Sequence, residues 1–302
     1  MTAVQTNSER QATPDVRRRN WGSVVPWLIP AANVSISPLL SSWKAMWLIA
    51  FSVFTTCKWL TWRSQQVAHS ARWRHWAYFA AWPGLDADRF LDRDRVAEKP
   101  EFRELLVSTL LTICGAIAIW IVVPRISHDR MWWKGALGFF GILLFLHFGS
   151  FGLLSWCWRR AGVDAPSLMD RPFLATSLAD FWGRRWNRAY RRVSHDLFYQ
   201  PITARFGPTI GLLGAFLASG LIHELAISVP ARGGYGGPTI YFLIHGLGML
   251  WERTPKIRHF IRRQPALGRV LAAVFVLAPV GLLFHAPFLT RVIAPFLRAI
   301  EA

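Results

Sequence analysis

The sequence predicts an all-α protein: a polytopic transmembrane helical bundle of about seven to eight spans with an interfacial amphipathic helix. Three observations support this prediction. Hydrophobic residues make up 53% of the 302 residues and charged residues only 17%, a balance typical of membrane proteins. Several apolar runs approach the roughly 20 residues that a helix needs to cross a bilayer. Basic connections rich in Trp separate these runs, as expected where a chain meets lipid headgroups.

The apolar runs define seven predicted spans. They lie at 21–40, 43–60, 105–123, 135–158, 208–230, 238–251 and 270–290. The first is weak because Pro26, Pro30 and Pro38 interrupt it, so an interfacial or re-entrant segment is an alternative. The sixth is short and needs extra residues or a special tilt to cross. Residues 1–20 are predicted to form a cytoplasmic tail, and 21–302 a single membrane-embedded domain.

Basic residues are distributed unevenly between the two predicted sides of the membrane. The segments 1–20, 61–104, 159–207 and 252–269 carry 27 of the 35 Lys and Arg residues, and the opposite connections carry 6. Because cytoplasmic loops are enriched in Lys and Arg, this asymmetry predicts a cytoplasmic N-terminus. The net charge of +18 is then an orientation signal, and we expect no nucleic-acid partner. No cleavable signal peptide is visible, and we expect a multi-pass protein of the bacterial inner membrane.

Cysteines and most intramembrane histidines show no metal-binding pattern. The three cysteines are isolated in or beside apolar runs, which is typical of packing residues. His147, His245 and His285 lie in or near predicted spans without a tight ligand spacing, so we interpret them as hydrogen-bonded structural residues. The sequence therefore predicts no metal site and no cofactor.

One ionisable pair, His223 and Glu224, lies inside the apolar run 208–230. Such side chains are costly in a bilayer and mark a functional site by default, although a structural pair bonded to a neighbouring helix is the alternative. On a helix Ser219 shares a face with His223, so His223 is expected to face a space lined by small residues. Glu224 lies about 100° around the helix, so we expect it to pair with another helix or to shape that space.

A second group of polar residues precedes this run. Ser177 followed by Asp180 is an acidic variant of a helix-capping pattern. Apolar residues then recur at helical spacing at Leu178, Phe181, Trp182, Trp186, Ala189, Tyr190 and Val193, with polar residues on another face at Asp180, Arg184, Asn187 and Arg191. This pattern predicts one basic amphipathic helix in the membrane interface. A plain membrane-surface anchor is the alternative for its arginines.

Two sequence motifs in this order resemble a known family. The segment Ser177-Leu-Ala-Asp-Phe-Trp-Gly-Arg-Arg-Trp-Asn187 is followed some 35 residues later by Ala218-Ser-Gly-Leu-Ile-His-Glu-Leu-Ala-Ile-Ser-Val-Pro230. Together they resemble the membrane-bound O-acyltransferase superfamily, in its wax synthase-like, long-chain-alcohol O-fatty-acyltransferase branch. The turn Trp82-Pro-Gly-Leu-Asp86 is similar to bacterial members of that type.

The resemblance implies acyl transfer from acyl-CoA, a co-substrate, to the hydroxyl of a lipidic alcohol. It implies a catalytic set of His223 as general base, Asn187 acting on the acyl carbonyl or on His223, and Glu224. A neutral imidazole can take the hydroxyl proton near pH 7. The predicted substrate-binding residues are Arg184, Arg185 and Arg188, which suit coenzyme A phosphates, with Trp186, Ser219 and Asp180.

Other functions remain open at this point. The acceptor could be a sterol, a diacylglycerol or the hydroxyl of a secondary metabolite. A proton-coupled transporter could use His223 and Glu224 as a relay, but we find none of the internal repeats that many transporters carry. The expected partners are acyl-CoA, the alcohol and membrane lipids, and a homo-oligomer is compatible with the sequence.

Overall fold

The computed structural model describes residues 25–127 and 129–301, and these residues form helices joined by turns and loops, with no strand among them. The helices are α1 (Leu28–Ile36), α2 (Ser42–Arg63), α3 (Arg72–Ala81), α4 (Ala87–Leu91), α5 (Phe102–Arg125), α6 (Met131–Arg160), α7 (178–185), α8 (188–206), α9 (Pro208–Ala231), α10 (Gly237–Glu252), α11 (Pro255–Arg263), α12 (Pro265–Leu283) and α13 (286–301). The all-α prediction is confirmed. The predicted tail 1–20 lies outside the described residues.

Four of these helices are long and apolar enough to cross a membrane: α5, α6, α9 and α12. The first three confirm the spans predicted at 105–123, 135–158 and 208–230. The chain is thus an integral membrane protein. The predicted number of seven to eight spans is not confirmed by this count.

The helices at the predicted spans 21–40, 43–60 and 238–251 are not among the four candidates within the described residues. In the described part of the predicted span 21–40, α1 has nine residues, about 14 Å at 1.5 Å per residue, flanked by 3-10 turns at Val25–Trp27 and Ser37–Leu39, and it packs against α2. Helix α2 reaches about 33 Å but carries Lys44 and Lys58, and α10 reaches only about 24 Å.

The last predicted span, 270–290, is wrong in its second half. Helix α12 is interrupted at Ala278 and Pro279 and ends at Leu283, because a proline cannot donate the next backbone hydrogen bond. A separate helix, α13, follows from 286 to 301.

Helix α9 lies between the two hydrophobic clusters that form the interior. Its Ile222 and Leu225 pack against the first cluster, which gathers buried residues of α2, α3, α4 and α8 around Tyr78 and Phe90. Its Ile227 belongs to the second cluster, built around residues of α10 and α13 such as Phe242. Residue 223 on α9 therefore lies where the two clusters adjoin.

The two long basic connections pack onto each other as one structured layer. The Arg89 guanidinium donates two hydrogen bonds to the Asp164 carboxylate, at 2.8 and 2.9 Å. Arg192 on α8 pairs with both Asp86 and Asp88. These ion pairs fix the turn 82–86 against α8, the helix that directly follows the motif 177–187.

Candidate active site

The predicted continuous helix over the second motif is divided in two. Helix α7 ends at Arg185, Trp186 is extended, and Asn187 adopts a left-handed backbone conformation with φ of 40°. Asparagine tolerates this conformation better than most residues. Its side-chain oxygen then accepts a hydrogen bond from the Tyr190 N–H, so Asn187 caps the new helix α8. The amide Nδ2 group has no hydrogen-bond partner among the described residues, and its two donors remain available.

The start of α7 confirms the capping prediction. The Ser177 hydroxyl accepts a hydrogen bond from the Asp180 N–H at 3.0 Å. The Asp180 carboxylate accepts in return from the Thr176 N–H at 3.2 Å. Glu252 at the end of α10 accepts from the Leu178 N–H at 2.8 Å, so α10 holds the beginning of the motif.

His223 has one engaged and one unengaged ring nitrogen. Its Nδ1 lies 2.7 Å from the backbone oxygen of Ser219, one turn earlier on α9. A carbonyl oxygen only accepts, so in the neutral ring the proton resides on Nδ1 and Nε2 keeps its lone pair. No described residue bonds Nε2. The ring is half-buried, with its centroid 4.5 Å from that of Phe242.

The two motifs approach each other through Tyr190 and Ser219. The Tyr190 hydroxyl is buried beside the Ser219 hydroxyl, without a hydrogen bond of normal geometry between them. Burial raises the pKa of Tyr190, so this hydroxyl is neutral at physiological pH. Tyr190 is also the residue that Asn187 caps. Tyr190 therefore connects the region of Asn187 to the helix that carries Ser219 and His223.

Glu224 faces away from His223. Its Oε1 accepts hydrogen bonds from the backbone N–H and the hydroxyl of Thr239, at 3.1 and 3.0 Å, near the beginning of α10. A side chain at Gly220 would come within 2.7 Å of the Thr239 Cα, so glycine is required for this close helix approach. Oε2 is buried without a hydrogen-bond partner among the described residues. This geometry agrees with the expectation that Glu224 pairs with another helix, and its catalytic role stays a prediction.

The side chains of Arg184 and Arg185 both form ion pairs with Asp180. Their Nε atoms lie 2.9 and 2.7 Å from its two carboxylate oxygens. Burial alone would raise the pKa of Asp180, but the hydrogen bonds from Arg185 and Thr176 and the two arginine charges hold it below its usual value. The carboxylate is only 4% exposed and stays ionised, so it acts as the anchor of α7.

Arg188 lies in a different place, in a cleft of about 380 Å³ between the turn 82–86, the loop 164–168 and α8. The basic side chains that line this cleft are Arg89, Arg188, Arg191 and Arg192, together with His195. Arg89 and Arg192 are paired with aspartates, whereas Arg188 and Arg191 form no ion pair within the described residues. Burial is the main cause that lowers the pKa of Arg188, and neighbouring Arg89 and Arg191 add to it against Asp170. An anion bound in the cleft would reduce the repulsion between these positive charges.

The remaining predicted site residues are packed. Trp186 stacks on Phe181 with ring centroids 5.4 Å apart, and the Ser219 hydroxyl donates to the Ala215 oxygen at 3.0 Å. Two other polar atoms near Phe242 are buried without hydrogen-bond partners, Trp182 Nε1 and His245 Nε2. Within the described ranges, no group of three acidic, His or Cys side chains could hold a metal ion.

Sequence reasoning gave no site role to four residues of this region: Lys58, Arg89, Arg191, which it placed only on the polar face of the amphipathic helix, and Arg192. The Lys58 Nζ is buried and donates to the backbone oxygens of Trp82 and Gly84, both at 2.6 Å, which fixes the turn that lines the cleft. A lysine inside an apolar run was a visible signal for Lys58. Arg192 lies one turn after Arg188 on the same helix, so the helical period could have located it.

Comparison with known proteins gives a consistent result. Residues 165–244 match the Membrane bound O-acyl transferase family, a range that contains Asn187, Arg188 and His223. This part of the chain is similar to that family. The predicted resemblance to the membrane-bound O-acyltransferase superfamily and to its wax synthase-like branch is confirmed by curated relatives as well. The chain is 33% identical over 140 residues to "Probable long-chain-alcohol O-fatty-acyltransferase 3" of Arabidopsis thaliana.

Two further relatives carry similar names. The chain is 31% identical over 134 residues to "Long-chain-alcohol O-fatty-acyltransferase" of Simmondsia chinensis, covering 41% of this chain and 38% of that protein. It is 33% identical over 144 residues to "Probable long-chain-alcohol O-fatty-acyltransferase 9" of Arabidopsis thaliana, covering 42% and 41%. The match to the first relative covers 41% of this chain and 40% of that protein, so in each case the similarity spans less than half of the relative's length.

Proposed function

We propose that this protein transfers a fatty acyl group from acyl-CoA to the hydroxyl of a lipidic alcohol, forming a wax-type ester. The observation that carries the proposal is the state of His223: Nδ1 is held by the Ser219 oxygen, and Nε2 has a free lone pair. Such an imidazole, set inside a membrane-spanning helix, is equipped to act as a general base. The names of the plant relatives support the same acceptor class.

In the proposed reaction the alcohol oxygen attacks the thioester carbonyl carbon while Nε2 of His223 takes the hydroxyl proton. The C–S bond then breaks, and the proton passes from His223 to the departing coenzyme A sulfur, which leaves as the thiol. The Asn187 Nδ2 donors are proposed to stabilise the negative charge that develops on the carbonyl oxygen. Glu224 keeps α9 and α10 in contact through Thr239 and so maintains the space that His223 faces.

The cleft around Arg188 is proposed to hold the phosphates of the acyl donor. Its two unpaired arginines, Arg188 and Arg191, supply positive charge, and the paired ones keep the walls in place. Arginine suits phosphate because its planar guanidinium can donate two parallel hydrogen bonds. Arg185 anchors α7 through Asp180 and, like Arg184, is given no direct contact with the donor phosphates.

The proposal also includes the orientation of the protein in its membrane. The excess of basic residues supports placing the cleft and the N-terminus on the cytoplasmic side, where acyl-CoA is made available. The relatives named above are plant proteins, and they lend no support to a bacterial inner membrane. The acceptor screen below distinguishes long-chain alcohols from a sterol and a diacylglycerol.

The test is an acceptor screen on the purified protein in lipid nanodiscs. Labelled palmitoyl-CoA is supplied with long-chain alcohols, a sterol, a diacylglycerol or no acceptor, and products are identified by mass spectrometry. We expect esters of the long-chain alcohols from the wild type and from His147→Ala, which removes a different intramembrane histidine. We expect none above background from His223→Ala. Ester formation by His223→Ala at the wild-type rate would refute His223 as the base, and a product only with another acceptor would reassign the substrate.

A further inference from the structure

A second basic cleft, of about 570 Å³, lies between the segment 93–100 and the end of α6. Five basic side chains and one acidic side chain line it: Arg93, Arg95, Lys99, Arg159, Arg160 and Asp94. It is separate from the cleft around Arg188, with which it shares no lining residue. It also lies outside the range 165–244 that matches the family, so the proposed acyl transfer does not account for it.

The cations of this cleft fall into two groups. Arg159 pairs with Glu104, and Arg95 lies 3.8 Å from an oxygen of Asp164, so these two hold the walls together. The other three are exposed and form no ion pair with any described residue: Arg93, Lys99 and Arg160. Three unneutralised cations around one concave surface create a strong preference for an anion.

The position of the cleft relative to the membrane is marked by tryptophans. The apolar helix α6 ends at Arg160, and its Trp158 donates its indole N–H to the Ala81 oxygen at 3.0 Å. Trp73 on α3 stacks against Trp158 with ring centroids 6.1 Å apart, and Trp76 on the same helix is 78% exposed. Tryptophan side chains concentrate at the boundary between lipid tails and headgroups. The cleft therefore lies at the depth of lipid phosphates.

From this charge and this depth we infer that the cleft binds the headgroup phosphate of an anionic phospholipid of the surrounding leaflet. Arg160 and Arg93 supply guanidinium donors, and Lys99 adds a mobile positive charge. Basic groups near an anionic membrane surface each strengthen binding by about fivefold. Exposed cations next to exposed tryptophans also keep the acyl chains of the bound lipid in the bilayer while its headgroup enters the cleft.

Native mass spectrometry tests this inference without relying on enzyme activity. The full chain is released from nanodiscs that contain equal amounts of phosphatidylglycerol and phosphatidylcholine, and the lipid molecules that stay bound are counted. The test variant is Arg93→Gln, Lys99→Gln and Arg160→Gln combined. The control combines Arg258→Gln, Arg262→Gln and Arg263→Gln on α11, which removes the same charge from another exposed basic surface.

We expect the wild type and the control to retain phosphatidylglycerol in preference to phosphatidylcholine. The cleft variant should lose this preference by about tenfold or more, with phosphatidylcholine binding unchanged. Equal losses in the cleft variant and in the control would show attraction by overall charge and would overturn the inference. An unchanged preference in the cleft variant would also overturn it.

A second measurement separates lipid phosphate from the phosphates of the acyl donor. Coenzyme A alone is added in excess before release from the nanodisc, and retained phosphatidylglycerol is counted again. We expect no displacement, because the acyl donor is assigned to the other cleft. Displacement of phosphatidylglycerol by coenzyme A would assign this cleft to the acyl donor and refute the lipid site. Failure of the acyl-transfer proposal, by contrast, would leave both lipid measurements unaffected.

Discussion

The space around His223 and the cleft around Arg188 are built in opposite ways. His223 is bonded only through Nδ1 to its own helix, and the surrounding groups are mostly apolar. The cleft is dense in charge, and two of its four arginines are already paired with aspartates, as in the bidentate Arg89–Asp164 pair. In the first region the reactive atom is left without a partner. In the second, paired arginines hold the walls while Arg188 and Arg191 remain free to bind.

This difference assigns different kinetic roles to the two regions. An unengaged base affects the chemical step, because it interacts with a proton only as the reaction proceeds. Unpaired arginines bind a charged donor equally before and during the reaction, and such binding changes the Michaelis constant rather than the rate constant. Variants of the two regions should therefore separate cleanly in kcat and KM.

The largest effect is expected at His223. His223→Ala removes the proposed base and should lower kcat by about 10²–10⁴-fold, the range typical of general-base catalysis. Steady-state kinetics with a long-chain alcohol give kcat, and size-exclusion chromatography checks the fold. His147→Ala is the matched intramembrane control. An equal fall in kcat in both variants would show that the loss is not specific to His223, and His223 would then not be distinguished as the base.

Asn187 should give the next largest effect. Asn187→Asp keeps an oxygen that can cap α8 and tolerates the left-handed backbone, but it removes the Nδ2 donors. If those donors stabilise the developing oxyanion, kcat should fall by about 10²-fold or more with little change in thermal stability. Asn187→Ala should lower stability as well, because the cap is lost. A normal kcat in Asn187→Asp would limit this residue to its capping role.

Within the cleft, Arg188→Gln combined with Arg191→Gln should raise the KM for acyl-CoA by about tenfold and leave kcat within about twofold. The reason is the loss of two charge-assisted contacts that are made equally in the ground and transition states. Added salt should raise the wild-type KM in the same direction, since exposed ionic contacts are screened. A fall in kcat at constant KM would place these arginines in the chemical step instead.

Lys58 tests whether the turn 82–86 supports the cleft. Lys58→Met leaves two buried carbonyl oxygens without donors, which should destabilise the protein by about 1–3 kcal/mol and raise the KM for acyl-CoA by severalfold. Differential scanning fluorimetry and steady-state kinetics measure the two effects. Thr55→Val, at an exposed position on the same helix, is the control. A stable Lys58→Met protein with a normal KM for acyl-CoA would show that the Lys58 hydrogen bonds do not support the cleft.

The sequence predicted local geometry better than the contacts between distant segments. The capping role of Ser177 and the orientation of Glu224 away from His223 follow from helical geometry, which acts over a few residues, and the structure agrees with both. The catalytic role of His223 stays a prediction. The break at Trp186 and Asn187 was not predictable from the apolar spacing, because the Asn187 cap and the return of Trp186 onto Phe181 outweigh that spacing. The Asp164 partner of Arg89 lies 75 residues away, beyond any local pattern.

The smallest effect is expected for Arg184, although the sequence places it beside Arg185 and near Arg188. Its side chain is 75% exposed, and its pairing with Asp180 is the exposed, i to i+4 type that contributes little stability. Arg184→Gln should therefore change the KM for acyl-CoA and the melting temperature very little. Arg185→Gln should lower the melting temperature more, because this side chain is only 24% exposed and also approaches the oxygens of Asp170 and Arg171.

Arg184, Arg185 and Arg188 lie close together in the sequence but have different contacts in the structure, so comparing their Gln variants distinguishes the two assignments. If all three contact the donor phosphates, as the sequence predicted, their Gln variants should raise KM to a similar degree and should share the same salt dependence. If the structure assigns them correctly, Arg188→Gln changes KM, Arg185→Gln changes stability, and Arg184→Gln changes neither. A KM effect of Arg184→Gln as large as that of Arg188→Gln would extend the binding surface from the cleft across α7, and Asp180 would then orient a substrate-binding arginine.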